Sequence, residues 1–158
     1  MRSKAATIKP VNPDPLYSDV LVTKLINRTM RSGKKTAAAK QVYHALDQIA
    51  SETKDNPLTI LHTALENIRP QMEVRARRIG GAAYQVPSPV RGARKDSLAI
   101  RWLILAALAR PNAQFHSFAE KLAAEITDAK NQSGAAVKKK LDMHRMAEAN
   151  KAFAHFRW

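Results

Sequence analysis

The sequence predicts an all-α fold: a six-helix bundle with a β-hairpin arm inserted between helices three and four. Three observations lead there. Apolar residues recur at helical spacing through most of the 158 residues. The spacing changes once to strict alternation, from Met72 to Val86, and a glycine pair, Gly80–Gly81, divides that interval. With 45% apolar content, this length suits one domain with a real core. We divide the chain into an extended basic arm, 1–15, and a single helical domain, 16–158.

The arm carries Arg2, Lys4 and Lys9 among three prolines and has little that could pack; it reads equally as a binding arm or a disordered tail. Helix one runs from about Asp19 to Met30 and stops near Gly33. Helix two, about Lys35 to Ser51, gathers Ala38, Val42, Leu46 and Ile49 on one side and Lys40, His44 and Asp47 on the other. Helix three opens at Asn56–Pro57, a side-chain cap followed by a proline whose missing N–H costs nothing there. Pro70 disfavours helical backbone at Arg69 and ends it.

The hairpin, about 72–90, alternates Met72, Val74 and Ala76 with Glu73, Arg75 and Arg77, and Tyr84 and Val86 mark its return strand. Pro87 and Pro89 cannot donate ladder hydrogen bonds, so the ribbon should stand free of any larger sheet. Helix four, about Ser97 to Arg110, is apolar on nearly every side, as a central helix would be. Helix five begins with a capping box, Ser117 and Glu120. A last helix spans about 135–153; either it covers the bundle with one flank and meets an anion with another, or it is a frayed surface helix.

Charge narrows the function. The 27 Lys and Arg residues against 13 Asp and Glu leave a formal +14. Such an excess repels itself on folding and points to a polyanion, nucleic acid first. Membranes suit the sequence poorly: the longest apolar run, Leu98–Ala109, is about half a spanning length and contains Arg101. The N-terminus lacks a signal peptide's apolar stretch. Cysteine is absent, which excludes disulfides and thiolate metal sites and agrees with a reducing cytoplasm.

Where the cations fall is more telling than their number. Gly33–Lys35 and Lys138–Lys140 lie in predicted first turns, where ammonium groups oppose the helix dipole but would converge with free N–H groups on a phosphate. Arg75, Arg77 and Arg78, with Arg91, Arg94 and Lys95 at the return, make the ribbon a cationic probe, since arginine offers a planar fork to phosphate and stacks on bases. The competing reading is a solvated hairpin whose charges only block edge pairing. Tyr84 either stacks on a base or braces the hairpin, and bracing is the simpler role.

No catalytic motif is present. The segment GKKT lacks the first glycine and the Lys-Thr order of a phosphate loop, there is no nucleophile elbow, and the five histidines have no metal-ligand spacing. Neither an enzyme, nor a cofactor, nor a small-molecule substrate is indicated.

Taken as a series, GKK before a Tyr/Ala/Leu helix, ALENIRP, EVRARRIGGAAYQVP, SLAIRW and the ending AVKKKLDMHRMAEANKAFAHFRW closely resemble the bacterial-type small-subunit ribosomal protein S-seven family over nearly the whole chain. The resemblance implies a structural, non-catalytic ribosomal component in the cytoplasm, bacterial or organellar in origin. It would bind the 3′ major domain of small-subunit rRNA directly and early, organising the head for later proteins. Its neighbours would be messenger, exit-site tRNA, and the eleventh and ninth small-subunit proteins. The rRNA contacts it implies are Arg2, Lys4, Lys9, Arg28, Arg31, Lys34, Lys35, Arg75, Arg77, Arg78, Arg91, Arg94, Lys95, Lys138 and Lys139. The positions implied near exit-site tRNA and messenger are Arg78, Gly80, Gly81, Ala82, Tyr84, Arg145 and Lys151. The segment LARPNAQFHS departs from the family by its length and lower charge, and Leu141 stands where a charge is common. Two other function classes remain in competition: a free DNA- or mRNA-binding regulator reading a groove with the ribbon, and an RNA-modifying enzyme, for which no motif speaks.

Overall fold

The computed structural model describes residues 10–156; Arg2, Lys4 and Lys9 lie outside them. Six α-helices are present as expected: α1 (Val20–Thr29), α2 (Lys35–Thr53), α3 (Pro57–Ile68), α4 (Ala93–Ala109), α5 (Phe118–Lys130) and α6 (Gly134–Ala149). A 3-10 helix, Lys151–Phe156, follows. Between α3 and α4 the strands β1 (Met72–Ile79) and β2 (Ala82–Pro89) pair antiparallel, with Ile79 opposite Ala82 across the turn. The fold is thus mostly helical with one two-stranded ribbon, and all-α describes the bundle alone.

Local chemistry explains most boundaries. Asp19 caps α1 by accepting from the Leu21 and Val22 amides, and Asn56 Oδ1 accepts from Leu58 N at 2.9 Å to start α3. Ser117 Oγ accepts from Glu120 N, while the Glu120 carboxylate accepts from Ser117 Oγ and His116 N at 2.8 Å, completing a capping box at α5. Gly80 and Gly81 both have positive φ, +55° and +92°, as a tight two-residue hairpin turn requires.

The core lies where α2, α3, α4 and α5 meet. Leu46, Ile49, Leu61, Leu65, Ile68, Leu103, Leu122 and Ile126 are fully buried, each contributing roughly 1.5–3 kcal/mol of apolar transfer. Helix α4 packs against α1, α3, α5 and α6, as its apolar circumference predicts. One stripe escapes that prediction: Leu105 is 57% exposed and Leu108 39%.

Four expectations need correction. Helix α4 begins four residues before Ser97, so Arg94 and Lys95 belong to its first turn and not to its approach. The last helix does not run to Phe153. It ends at Ala149, where Asn150 folds its side-chain amide back onto the Met146 carbonyl at 2.8 Å. Because α6 starts at Gly134, Lys138–Lys140 occupy its second turn, beyond the strongest field of the helix dipole. Finally, the ribbon belongs to no larger sheet among the described residues, as its prolines predict, but it does not project freely from the bundle. Both strands contact α6, and β2 also packs on the 3-10 helix.

Asp14 anchors the described end of the arm. Its buried carboxylate accepts from the Leu16 and Tyr17 amides and from the Tyr43 hydroxyl at 2.8 Å. Burial, reinforced by that carboxylate, pushes the Tyr43 hydroxyl up to about 12.

Candidate nucleic-acid interface

A candidate interface would be built from cations that the fold leaves unneutralised, so the first question is which ones it neutralises. Acids engage a defined subset. Asp96 accepts from Lys24 Nζ at 3.2 Å and Arg69 Nη2 at 2.9 Å, tying α1, α3 and α4 together. Glu125, 1% exposed, accepts from Arg110 on one side and from the Ala136 amide, at 2.9 Å, on the other. It therefore caps α6, whose own Ser133 makes no capping bond. Gly134 is required there: its φ is +88°, and a Cβ would lie 2.9 Å from the Glu125 carboxylate. Arg110 also binds Asp128 and lies 5.3 Å from the Phe115 ring centre, so the loop LARPNAQFHS uses its arginine internally.

Glu73, the single acid of the ribbon, is buried and holds two of the expected RNA contacts. Arg94 reaches it at 2.9 Å and Arg75 binds it from the same strand. Burial alone would raise the Glu73 carboxyl; hydrogen bonds from Arg94 and Arg75 more than reverse this and leave it below the usual carboxylate range. Both arginine side chains stay about half exposed, 50% for Arg75 and 48% for Arg94. They are positioned by Glu73 while still offering N–H groups outward.

The other predicted cations within residues 10–156 have no ion-pair partner among the described residues, Arg77 aside, which has an interaction of its own. Arg28 ends α1, Arg31 lies in the following loop, Lys34 precedes α2 and Lys35 opens it; all four are exposed. No acid and no side-chain cap serves the first turn of α2. Arg91 is exposed between β2 and α4, and Arg78 is exposed near the ribbon tip with Gly80, Gly81 and Ala82.

Tertiary packing brings these separated groups into one run. A hollow lined by Lys24, Asn27, Arg28, Ala93 and Ser97 joins the end of α1 to the start of α4. The Glu73 clamp continues from there to the ribbon root. A second hollow, holding Arg69, Arg91, Lys95 and Asp96, flanks the same junction. Beyond α1 the run widens into a cleft of about 540 Å³ rimmed by Arg28, Arg31 and Lys34.

Other predicted positions separate from this run. Lys138 and Lys139 are exposed on α6, and no hydrogen bond or ion pair among the described residues links them to it. Arg145 and Lys151 are exposed near the end of the chain. Tyr84 is a brace: its ring packs 5.3 Å from Phe153 and 5.4 Å from Phe156, holding the 3-10 helix on β2.

Sequence reasoning passed over Arg101, which lines the cleft beside Arg28, Arg31 and Lys34. The available signal was one cation inside the otherwise apolar run of Leu98–Ala109. Among the described residues there is no His/Asp/Glu grouping able to hold a metal, and no helix is long and apolar enough to cross a membrane.

A family model described as ribosomal protein S7p/S5e matches residues 1–151. The chain belongs to that family. S7p/S5e membership makes it a structural ribosomal protein and not an enzyme. Relatives named small ribosomal subunit protein uS7 agree along their full length. The one from Thermosipho melanesiensis is 56% identical with 100% of both chains covered. Those from Streptococcus sanguinis and Mesorhizobium japonicum are 54% and 51% identical, with 99% of both chains covered. The S7p/S5e assignment thus spans every element that carries the cationic run.

Proposed function

We propose that this chain, a structural constituent of the small ribosomal subunit, acts in translation by gripping the 3′ major domain of small-subunit rRNA and organising it for later proteins. One observation carries this reading. Arg28, Arg31 and Lys34 rim one cleft beside α1, Arg91 and Lys95 line a hollow at the start of α4, and none of the five has an ion-pair partner among the described residues, while the ribbon's only acid is buried. Many phosphate contacts and the shape of a folded junction would supply affinity, with limited base readout. The ribbon tip, with Arg78, Gly80, Gly81 and Ala82, together with Arg145 and Lys151, would lie near messenger and exit-site tRNA. The exposed Leu141 and Met146 of α6 would meet a neighbouring small-subunit protein, the eleventh; the ninth would also be a neighbour.

The test is binding of the full chain to a 3′ major domain transcript across a salt series. Affinity should fall steeply with salt, and duplex DNA should compete poorly. Equal or better binding to duplex DNA would favour a free regulator instead.

A further inference from the structure

We propose that the cleft between α1, α2 and α4 receives one unpaired nucleobase of the bound RNA, with the flanking phosphates on its cationic rim. This deepens the RNA-binding reading above and rests on it. Three observations converge on the cleft.

Its floor is apolar and open. Leu105 and Leu108 are 57% and 39% exposed on α4, whose other large apolar side chains are buried, and Ile104 and Phe118 line the same space. A solvated helix face would carry polar residues at those positions. Its charged residues are all cations: Arg28, Arg31, Lys34 and Arg101 line it, beside the neutral Gln41, and no acid does. Its lining also includes Thr29 and Arg101, whose Oγ1 and Nε are sealed from solvent with no hydrogen-bond partner among the described residues. Buried polar atoms ordinarily find partners, so these two would gain one if their side chains turned towards the cleft as a ligand enters.

A nucleotide has all three complements. Its base offers a flat apolar face to Leu105, Leu108 and the Phe118 side, and an edge of donors and acceptors to Thr29 and Arg101. Its phosphates match the rim. A phosphodiester alone would need no apolar floor, and a purely apolar peptide would need no ring of cations. The volume of about 540 Å³ lies within the range of small-ligand sites, roughly 300–1,000 Å³. Paired bases keep their faces stacked in the helix, so the occupant is a base splayed out of a loop, bulge or junction.

The experiment compares the full chain with the double variant Leu105→Asn, Leu108→Asn, both sites being exposed so that the fold survives; its melting curve confirms this. Binding to the 3′ major domain transcript is measured at several salt concentrations. The double variant should bind about tenfold more weakly, the loss expected for one stacked base, with an unchanged salt slope because no phosphate contact is removed. Zero-length ultraviolet crosslinking of the parent should join the segment 104–118 to a single unpaired nucleotide. If the unaltered chain fails to bind the transcript, the RNA reading and this one fall together. If it binds and the double variant binds equally well, only the nucleobase site is lost. A double variant that binds the transcript normally yet no longer enters small subunits would assign the cleft to a protein and equally overturn the proposal.

Discussion

Glu73 on β1 and Arg94 in the first turn of α4 form a buried-acid clamp, Arg94 Nη2 to Glu73 Oε2 at 2.9 Å, which ties the root of the ribbon to the bundle. Arg75 closes the clamp from the other side. The same contact neutralises the ribbon's acid and aims two arginines.

Replacing Glu73 by Gln should therefore loosen the ribbon while making the surface more positive. The two arginine side chains are half exposed to water, so the stability loss should be modest, about 1 kcal/mol by chemical denaturation. The clamp also carries a pH signature. The folded Glu73 carboxyl lies below its unfolded value, so its contribution is present above pH ~4.5 and is lost as pH falls through the lowered value. The parent should lose stability in that acidic window more steeply than the variant.

Arg110→Met should be far more damaging. It leaves Glu125, 1% exposed, as a buried carboxylate without its cation, at a cost of roughly 3–5 kcal/mol. Because Glu125 also caps α6, hydrogen exchange should rise first in that helix. A melting temperature equal to the parent's would refute the clamp's importance.

His144 should make docking of α6 pH-dependent. Its Nε2 accepts from the Gln71 amide at 3.0 Å, which only the neutral ring can do. Burial, and after it Lys140, holds its pKa below the ordinary 6.5. The folded state thus disfavours the proton. The contribution is complete above about 6.5 and fades as pH falls through the lowered value. His144→Gln keeps a polar side chain without titrating, so the stability difference between pH 7 and pH 5 should shrink.

Neutralising Arg28, Arg31 and Lys34 to Gln should weaken transcript binding and reduce the salt slope by roughly one per lost phosphate contact. The same change at Lys40, on the far side of the predicted α2 stripe, should leave the slope in place. An equal effect per charge removed at Lys40 would mean that net charge, and not position, governs binding.

Tyr84→Ala should release the 3-10 helix, since Tyr84 holds both Phe153 and Phe156. Limited trypsin digestion should then cut faster at Lys151, with little change in global melting.

Local signals made much of this fold legible. Asn56–Pro57, the Ser117–Glu120 box and Gly80–Gly81 act within a few residues, so helix starts and the turn could be read along the chain. Where partners are distant, reading failed. Helix α4 starts early although Gly92 offers no side-chain cap, and the Arg94 of its first turn is held by Glu73, 21 residues away. Asn150 ends α6 through a side-chain bond that its type allows but does not demand. Arg75 and Arg94 were recognisable as cations, but their pairing with a buried acid was not.

By itself, then, the sequence determined the helical bundle, the inserted ribbon and the surplus of positive charge, because periodicity, turn chemistry and composition are properties of neighbouring residues. Only the tertiary structure decided which cations remain available. Charge neutralisation depends on distances of a few ångströms between groups remote in sequence, and so do the open stripe of α4 and the covered face of the ribbon.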